Sequence, residues 1–129
     1  RIVKTYQTEM ARIPLEHYSQ AVSDGVTLCV STQLPIHPDQ PADNSMSVED
    51  QTTQVLRNIL AILETAGLGP SSLLRVTLYI TDASSWSAVN QGCEKVLGDS
   101  KPARGILQVA GINRGFSVAG DAIASHRVT

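Results

Sequence analysis

Residues 47–67 read SVEDQTTQVLRNILAILETAG, and this stretch decides the fold. Ser47 followed by Asp50 three residues later approximates a capping box, which marks a helix start. Gly67 is the kind of residue that commonly follows a helix end. The apolar residues between them recur at helical spacing: Val48, Val55, Leu56, Ile59, Ile62, Leu63 and Ala66. The stretch therefore predicts one amphipathic helix with a single core-facing side.

A second helix is predicted directly after residues 82–85. It ends at Gly98, and its apolar face consists of Trp86, Val89, Cys93, Val96 and Leu97. Before the first helix, Pro35 to Ser47 reads PIHPDQPADNSMS, whose prolines, aspartates and asparagine favour turns. This segment is predicted to be a long loop, and loops of that length are often functional or mobile.

Strands are predicted on both sides of the two helices. Ala21–Ser23 and Val26–Ser31 flank Asp24-Gly25 and are typical of a tight hairpin. Further strands are predicted at Leu73–Thr81, Gly105–Ala110 and Phe116–Arg127, the last two joined by a turn around residues 113–115. Strand-helix-strand units imply parallel pairing with right-handed crossovers. We therefore expect a single sheet with both helices on one face.

The other face of that sheet has no predicted cover. Its expected residues are small, mixed and only partly polar: Thr27, Cys29, Ser31, Arg75, Thr77 and Tyr79. A half-apolar face of this size fits an interface between copies of the chain. It equally fits a solvated sheet face, which alternates in the same way.

Composition limits the classes of function. The 129 residues match one domain, taken as 1–129, with 42% apolar and 17% charged residues. The formal charge of −2 argues against a dedicated nucleic-acid binder. No apolar stretch approaches the roughly 18 residues that cross a bilayer, so no membrane partner is expected. Nucleotide-binding and hydrolase-elbow motifs are missing, and no cofactor is expected.

Cysteine and histidine usage limits the disulfides and metal sites that the chain can form. Two cysteines, Cys29 and Cys93, cannot form a disulfide framework. The histidines are scattered and the chain has no CxxC, which excludes a structural zinc site of common spacing. No metal is therefore expected. No signal-peptide pattern opens the chain, so the cytoplasm is the expected compartment. The chain starts at Arg1 rather than Met, which suggests that some of the natural N-terminus is missing.

Six ordered segments carry a family resemblance over nearly the whole chain. They are HYSQAV (17–22), VSTQLPIHP (30–38), residues 51–67 of the first helix, the WxxxN of Trp86 and Asn90, PAR (102–104) and DAIA (121–124). In this order they resemble the RidA/YjgF family, the reactive intermediate deaminases. The resemblance implies a chorismate-mutase-like α+β fold: a mixed sheet with two helices on one face and trimer formation through the other. It also implies sites in the clefts between subunits.

Members of this family hydrolyse reactive enamines and imines to keto acids and ammonia. By resemblance, Arg104 of the PAR segment would clamp the carboxylate of a small substrate, because a planar guanidinium binds a carboxylate with two hydrogen bonds. Tyr18 would close the pocket and hydrogen-bond the substrate or a water. Ser31 would donate to the carboxylate or to a backbone carbonyl. Asn90 either contacts the substrate or bridges helix and sheet.

Departures from the family pattern put the standard chemistry in question. Active members carry a glutamate where this chain has Ala119, and Asp121, about 6.6 Å further along the strand, is the remaining acidic group. Imine hydrolysis needs a group that activates water, and losing one costs about 10²–10⁴ in rate. Asp121, His17 or a backbone carbonyl would have to organise that water.

The pocket lining also departs from the family pattern. Ile106 stands where many members have cysteine, and His17 where proline is common; both are candidate pocket residues. Thr32 replaces a glycine, which adds bulk, and Cys93 replaces a frequent aromatic residue. Both cysteines are interpreted as small apolar fillers rather than reactive thiols.

Four hypotheses follow. The first is an imine or enamine deaminase. The second is a specialised enzyme of the same fold with changed chemistry, such as tautomerisation, cyclisation or a dedicated hydrolysis. The third is a protein that binds small carboxylates without turnover. The ribonuclease or translation-inhibitor activity described for some family members ranks last, because the charge of −2 and the few aromatic residues argue against strong RNA binding.

Overall fold

The computed structural model describes residues 3–127, and its elements follow the predicted order with one addition. The strands are β1 (Lys4–Tyr6), β2 (Ala21–Ser23), β3 (Thr27–Gln33), β4 (Leu73–Ile80), β5 (Ala103–Gln108) and β6 (Val118–Ser125). The helices are α1 (Val48–Thr65) and α2 (Trp86–Leu97). The addition is β1, whose three residues are too few to show an alternating pattern.

The described strands form one mixed sheet in the order β1-β2-β3-β6-β4-β5. The predicted hairpin of β2 and β3 is confirmed, and β4 pairs with β5 in parallel across the α2 crossover. Strands β3 and β4 run in the same direction, as the strand-helix-strand unit predicts, but their expected direct pairing is wrong. The last strand, β6, lies between them and is antiparallel to both. Strand order in the middle of a sheet depends on pairing between distant segments, which periodicity does not encode.

Small residues make β6 suitable for this central position beneath α1. On its helix-facing side it presents Val118, Gly120, Ala122 and Ala124, all buried. A Cβ added at Gly120 would lie 2.9 Å from Val55 Cγ1 of α1 and 2.8 Å from Leu78 Cδ2 of β4. The close approach of helix and sheet therefore requires glycine here.

Helix α1 begins as predicted. The Ser47 side chain accepts a hydrogen bond from the Asp50 backbone N–H at 3.1 Å. Gly67 follows the helix with φ +74°, a conformation that favours glycine. Both helices pack on one face of the sheet, over a core built mostly of Val, Ile and Leu, as the sequence predicts.

The long loop at residues 35–47 has no regular secondary structure, as predicted, but buried amides of α1 fix it. Asn58 Nδ2 donates to the carbonyls of Leu34 and Ile36 at 3.2 and 3.1 Å. Gln51 Nε2 donates to the carbonyl of Met46 at 2.9 Å. Gln51 Oε1 accepts from the backbone N–H of Ser117 at 2.9 Å. One glutamine thus ties the loop to the start of β6.

The face of the sheet opposite the helices is uncovered in the protomer. Cross-strand pairing places Val22, Cys29, Ile123 and Arg75 in one row on this face. The predicted alternation of β3 is interrupted at Ser31 and Thr32, because the β3–β6 register shifts between Val30 and Gln33. Such a bulge re-aims the side chains beside it.

Candidate active site

Arg104 on β5 lies at the edge of the sheet beside α2. Its Nη1 donates to Asn90 Oδ1 at 2.8 Å, and the residue is exposed. The two side chains line a cleft of about 470 Å³ together with Cys93, Glu94 and Lys101. The structure therefore brings together the two predicted residues of the PAR and WxxxN segments.

Glu94 completes this arrangement, and sequence reasoning missed it. Asn90 Nδ2 donates to Glu94 Oε1 at 3.1 Å. A carboxylate only accepts hydrogen bonds, so the amide nitrogen of Asn90 must face Glu94 and its oxygen must face Arg104. The spacing of four residues on α2 was the available signal, because such pairs are neighbours on a helix surface.

Cys93 lines the same cleft as Arg104. Burial raises the pKa of the Cys93 thiol, and the hydrogen bond from Arg104 opposes that rise. Because the net direction is upward, the thiol stays protonated at neutral pH, which supports its interpretation as a core filler. Ile106, two residues further along β5, packs against the same core cluster.

Tyr18 lines a different pocket of the protomer. Its side chain is 50% exposed. Thr32, Arg12, Asn113 and Arg114 are among the other residues of this pocket. His17 is exposed and is not among the described residues that line it.

Ser31 holds the segment that carries Tyr18. Its hydroxyl donates to the carbonyl of Ser19, and its backbone N–H donates to the carbonyl of Gln20. The single hydroxyl proton of Ser31 is thus directed at the backbone in the protomer. Of its two predicted partners, the structure shows the backbone carbonyl.

Asp121 lies on the uncovered face of the sheet and is already engaged. Its Oδ2 accepts from Tyr79 Oη at 2.9 Å and from Thr32 Oγ1 at 3.1 Å. The hydrogen bond to Asp121, with a contribution from burial, raises the pKa of Tyr79, which remains a neutral donor. Ala119 is buried and pairs across strands with Tyr79. Sequence reasoning identified Asp121 but missed both of its hydroxyl partners.

The protomer therefore carries two separate groups of candidate residues. Arg104, Asn90 and Ile106 lie at the β5 edge of the sheet. Tyr18, Ser31, Thr32 and Asp121 lie toward its centre and the loop before β2. Within residues 3–127, no group of three or more His, Cys, Asp or Glu side chains could hold a metal ion.

Comparisons with known proteins place this chain and its fold in one class. The family model described as Endoribonuclease L-PSP matches residues 8–126. A RutC family protein of Pyrococcus horikoshii is 37% identical over 117 residues, covering 91% of this chain and 93% of that protein. The chloroplastic Reactive Intermediate Deaminase A of Arabidopsis thaliana is 34% identical over 118 residues, covering 92% of this chain and 63% of that protein.

Solved structures agree. RidA from the Antarctic bacterium Psychrobacter superposes with a TM-score of 0.88 at 32% identity, covering 95% of this chain and 98% of that one. The chain belongs to the RidA/YjgF family, which the Endoribonuclease L-PSP model describes. Among the described residues, no helix is long and apolar enough to span a membrane.

Proposed function

We propose that this protein hydrolyses a small carboxylate-bearing imine or enamine, at sites completed between the subunits of a homotrimer. The observation that carries the proposal is that Arg104 has a neutral hydrogen-bond partner and no acidic one among the described residues. Within residues 3–127, no carboxylate lies within ion-pair distance of its guanidinium. Asn90, a neutral amide, holds it in place from one side. The guanidinium of Arg104 lines the cleft, and its remaining N–H donors suit a substrate carboxylate.

The reaction adds water across the carbon–nitrogen double bond. The water oxygen bonds to the imine carbon, the carbon–nitrogen bond then breaks, and both water protons leave with nitrogen as ammonia. A keto acid remains. Arg104 would fix the carboxylate and so hold the adjacent imine carbon in one orientation for attack.

Trimer formation explains why the candidate residues form two groups. Arg104 of one subunit would meet Tyr18 and Thr32 of a neighbour. The uncovered sheet face is suited to such an interface, because it exposes Leu107 and Ile123 at 47% and 38%. Burying apolar surface of this kind drives association.

The loss of the family glutamate at Ala119 predicts slow turnover. Asp121 is on the same face of β6, but it is held by Tyr79 and Thr32. We propose that Asp121 acts on the attacking water only through these hydroxyls, with Tyr18 and His17 as further candidates for proton handling. Without a dedicated base, a rate about 10²–10⁴ below that of glutamate-bearing members is expected.

The test is deaminase activity on 2-iminobutyrate, made by an amino-acid oxidase and trapped with semicarbazide. The protein should speed the loss of imine, and Arg104→Ala should abolish the effect. Arg57→Ala, an exposed arginine on α1 outside this cleft, is the matched control. A folded trimer without any acceleration would overturn the proposal.

A specialised reaction on the same carboxylate clamp, or carboxylate binding without turnover, is the second candidate. It is favoured by Ala119 together with the engagement of Asp121. The substitution Ala119→Glu separates the candidates, because restored imine hydrolysis would identify a degenerate deaminase site. We place the protein in the cytoplasm, a proposal supported by the free thiols of Cys29 and Cys93.

A further inference from the structure

Two arginines outside the Arg104 cleft line the pocket that contains Tyr18. Arg12 and Arg114 both border this pocket, and both also border an adjoining pocket with His37 and Gln40. Sequence reasoning assigned neither residue a role. They are 102 positions apart in the chain, so only the fold brings them to one place.

Neither guanidinium is neutralised within residues 3–127. The one ion pair among these residues joins Lys95 to Glu49. Glu16 also borders the Tyr18 pocket, but it lies beyond ion-pair distance of either arginine. Two like charges that share a pocket repel one another, and an anion between them relieves that repulsion. The pocket is thus electrostatically suited to a negatively charged group.

Side-chain amides hold the backbone carbonyl of each arginine. Arg114 lies in a short 3₁₀ turn (Asn113–Gly115), and Arg12 lies outside the helices and strands. The fully buried Gln20 donates from Nε2 to the carbonyl of Arg12 at 2.9 Å. Asn44 of the long loop donates from Nδ2 to the carbonyl of Arg114 at 2.9 Å. Two side-chain amides from different parts of the chain thus hold the two carbonyls.

Arg114 also has a backbone conformation that side chains seldom adopt. Its φ is +62° and its ψ is 18°, in the left-handed region. A residue with a side chain costs about 1–3 kcal/mol there, and such residues cluster at functional sites. The glycine at 115 shares this left-handed turn, and a Cβ added to it would lie 2.9 Å from Asn44 Nδ2. A side chain at position 115 would therefore collide with the Asn44 amide that donates to the Arg114 carbonyl.

We propose that Arg12 and Arg114 form a second anion subsite, so that the preferred substrate is an imine with a carboxylate at each end. The inference rests on the proposed function: Arg104 of one subunit holds the carboxylate next to the imine carbon, and the arginine pair of the neighbouring subunit holds the distal one. Tyr18 borders the pocket that contains this arginine pair.

The experiment compares imines made by amino-acid oxidases from L-glutamate and from L-norvaline. Both have five carbons, and only the first carries a distal carboxylate. The wild type should have the higher kcat/KM on the glutamate-derived imine. Arg12→Gln and Arg114→Gln should each lower that value by about tenfold to a hundredfold, the range for a hydrogen bond to a charged group. Neither should change turnover of the norvaline-derived imine, and Arg57→Gln should change neither substrate.

Equal losses on both imines, or no preference in the wild type, would overturn the inference while leaving deaminase activity intact. A second measurement is independent of turnover: calorimetric binding of 2-oxoglutarate and 2-oxovalerate, the corresponding keto acids. Tighter binding of 2-oxoglutarate that is lost in Arg114→Gln supports the subsite even if no imine is hydrolysed. Binding that Arg104→Ala weakens but Arg12→Gln and Arg114→Gln leave unchanged contradicts it. Competition by inorganic phosphate alone, with no preference between the two keto acids, also contradicts a carboxylate subsite.

Discussion

Arg104 Nη1 and Asn90 Oδ1 lie 2.8 Å apart, joining the edge strand β5 to helix α2. The partner of the guanidinium is a neutral amide, so the contact positions Arg104 without cancelling its charge. A carboxylate in the place of Asn90 would compete with a substrate carboxylate for the same fork. This relationship explains why an arginine near an acidic residue, Glu94, can remain available for a ligand.

Asn90→Ala should weaken substrate binding more than it slows chemistry. Without the amide, the Arg104 side chain samples other rotamers, and ordering it again on binding has an entropic cost. We expect KM for the imine to rise by about tenfold, with a smaller change in kcat. Steady-state kinetics of 2-iminobutyrate hydrolysis measure this directly. An unchanged KM would show that Asn90 does not position Arg104.

Glu94 acts through Asn90, and two substitutions separate its charge from its hydrogen bond. In Glu94→Gln the side-chain oxygen can still accept from Asn90 Nδ2, so KM should stay within about twofold of wild type. In Glu94→Ala the amide of Asn90 is free to flip, and KM should rise as in Asn90→Ala. Equal effects of the two substitutions would point to the charge of Glu94 instead.

Tyr79 links stability to alkaline pH. Its pKa is raised by the hydrogen bond to Asp121, so the folded state binds this proton more tightly than the unfolded chain. The resulting stabilisation is fully present below the unfolded pKa of about 10 and is lost as pH rises through the higher folded value. The free energy of unfolding should therefore fall above about pH 10.

Tyr79→Phe should flatten this alkaline dependence, and Tyr6→Phe, which leaves the Asp121 contact in place, should not. The measurement is chemical denaturation across this pH range at fixed protein concentration, since association shifts apparent stability. The same alkaline slope in Tyr79→Phe as in wild type would contradict the assignment.

Gln51→Ala should be among the more destabilising single changes in the chain. It removes the acceptor of the buried Val118 N–H and of the partly buried Ser117 N–H, and the donor to the Met46 carbonyl. Each buried group left without a partner costs about 1–3 kcal/mol, so a total loss of about 3 kcal/mol or more is expected. Gln91→Ala, on the exposed side of α2, is the control. Urea unfolding curves that shift equally for both variants would contradict the anchoring role.

The elements that local signals define were predictable from the sequence. Helix α1 has its Ser47 cap and a regular apolar spacing, so its bounds follow closely from neighbouring residues. The central position of β6 and the bulge at Ser31 depend on pairing between distant segments, and no local pattern encodes either. The same holds for Tyr79 and Asp121, whose hydrogen bond joins residues 42 positions apart.

The sequence likewise indicated some residues of the candidate site but not how they are arranged. Resemblance indicated Arg104, Asn90 and Tyr18 one by one, from the segments that contain them. Their arrangement into two groups, and the placing of Arg12 next to Arg114, needed the fold. Glu94 lay within reach of sequence reasoning, because its spacing from Asn90 is a helical one.

The central claim is that Arg104 binds a carboxylate through its planar fork, and Arg104→Lys tests it most directly. Lysine keeps the positive charge but cannot make two parallel hydrogen bonds. The measurement is kcat/KM for 2-iminobutyrate hydrolysis by wild type and Arg104→Lys, each shown to be a folded trimer. We expect Arg104→Lys to retain less than about a tenth of the wild-type value. A value close to wild type would contradict it, because charge alone would then suffice.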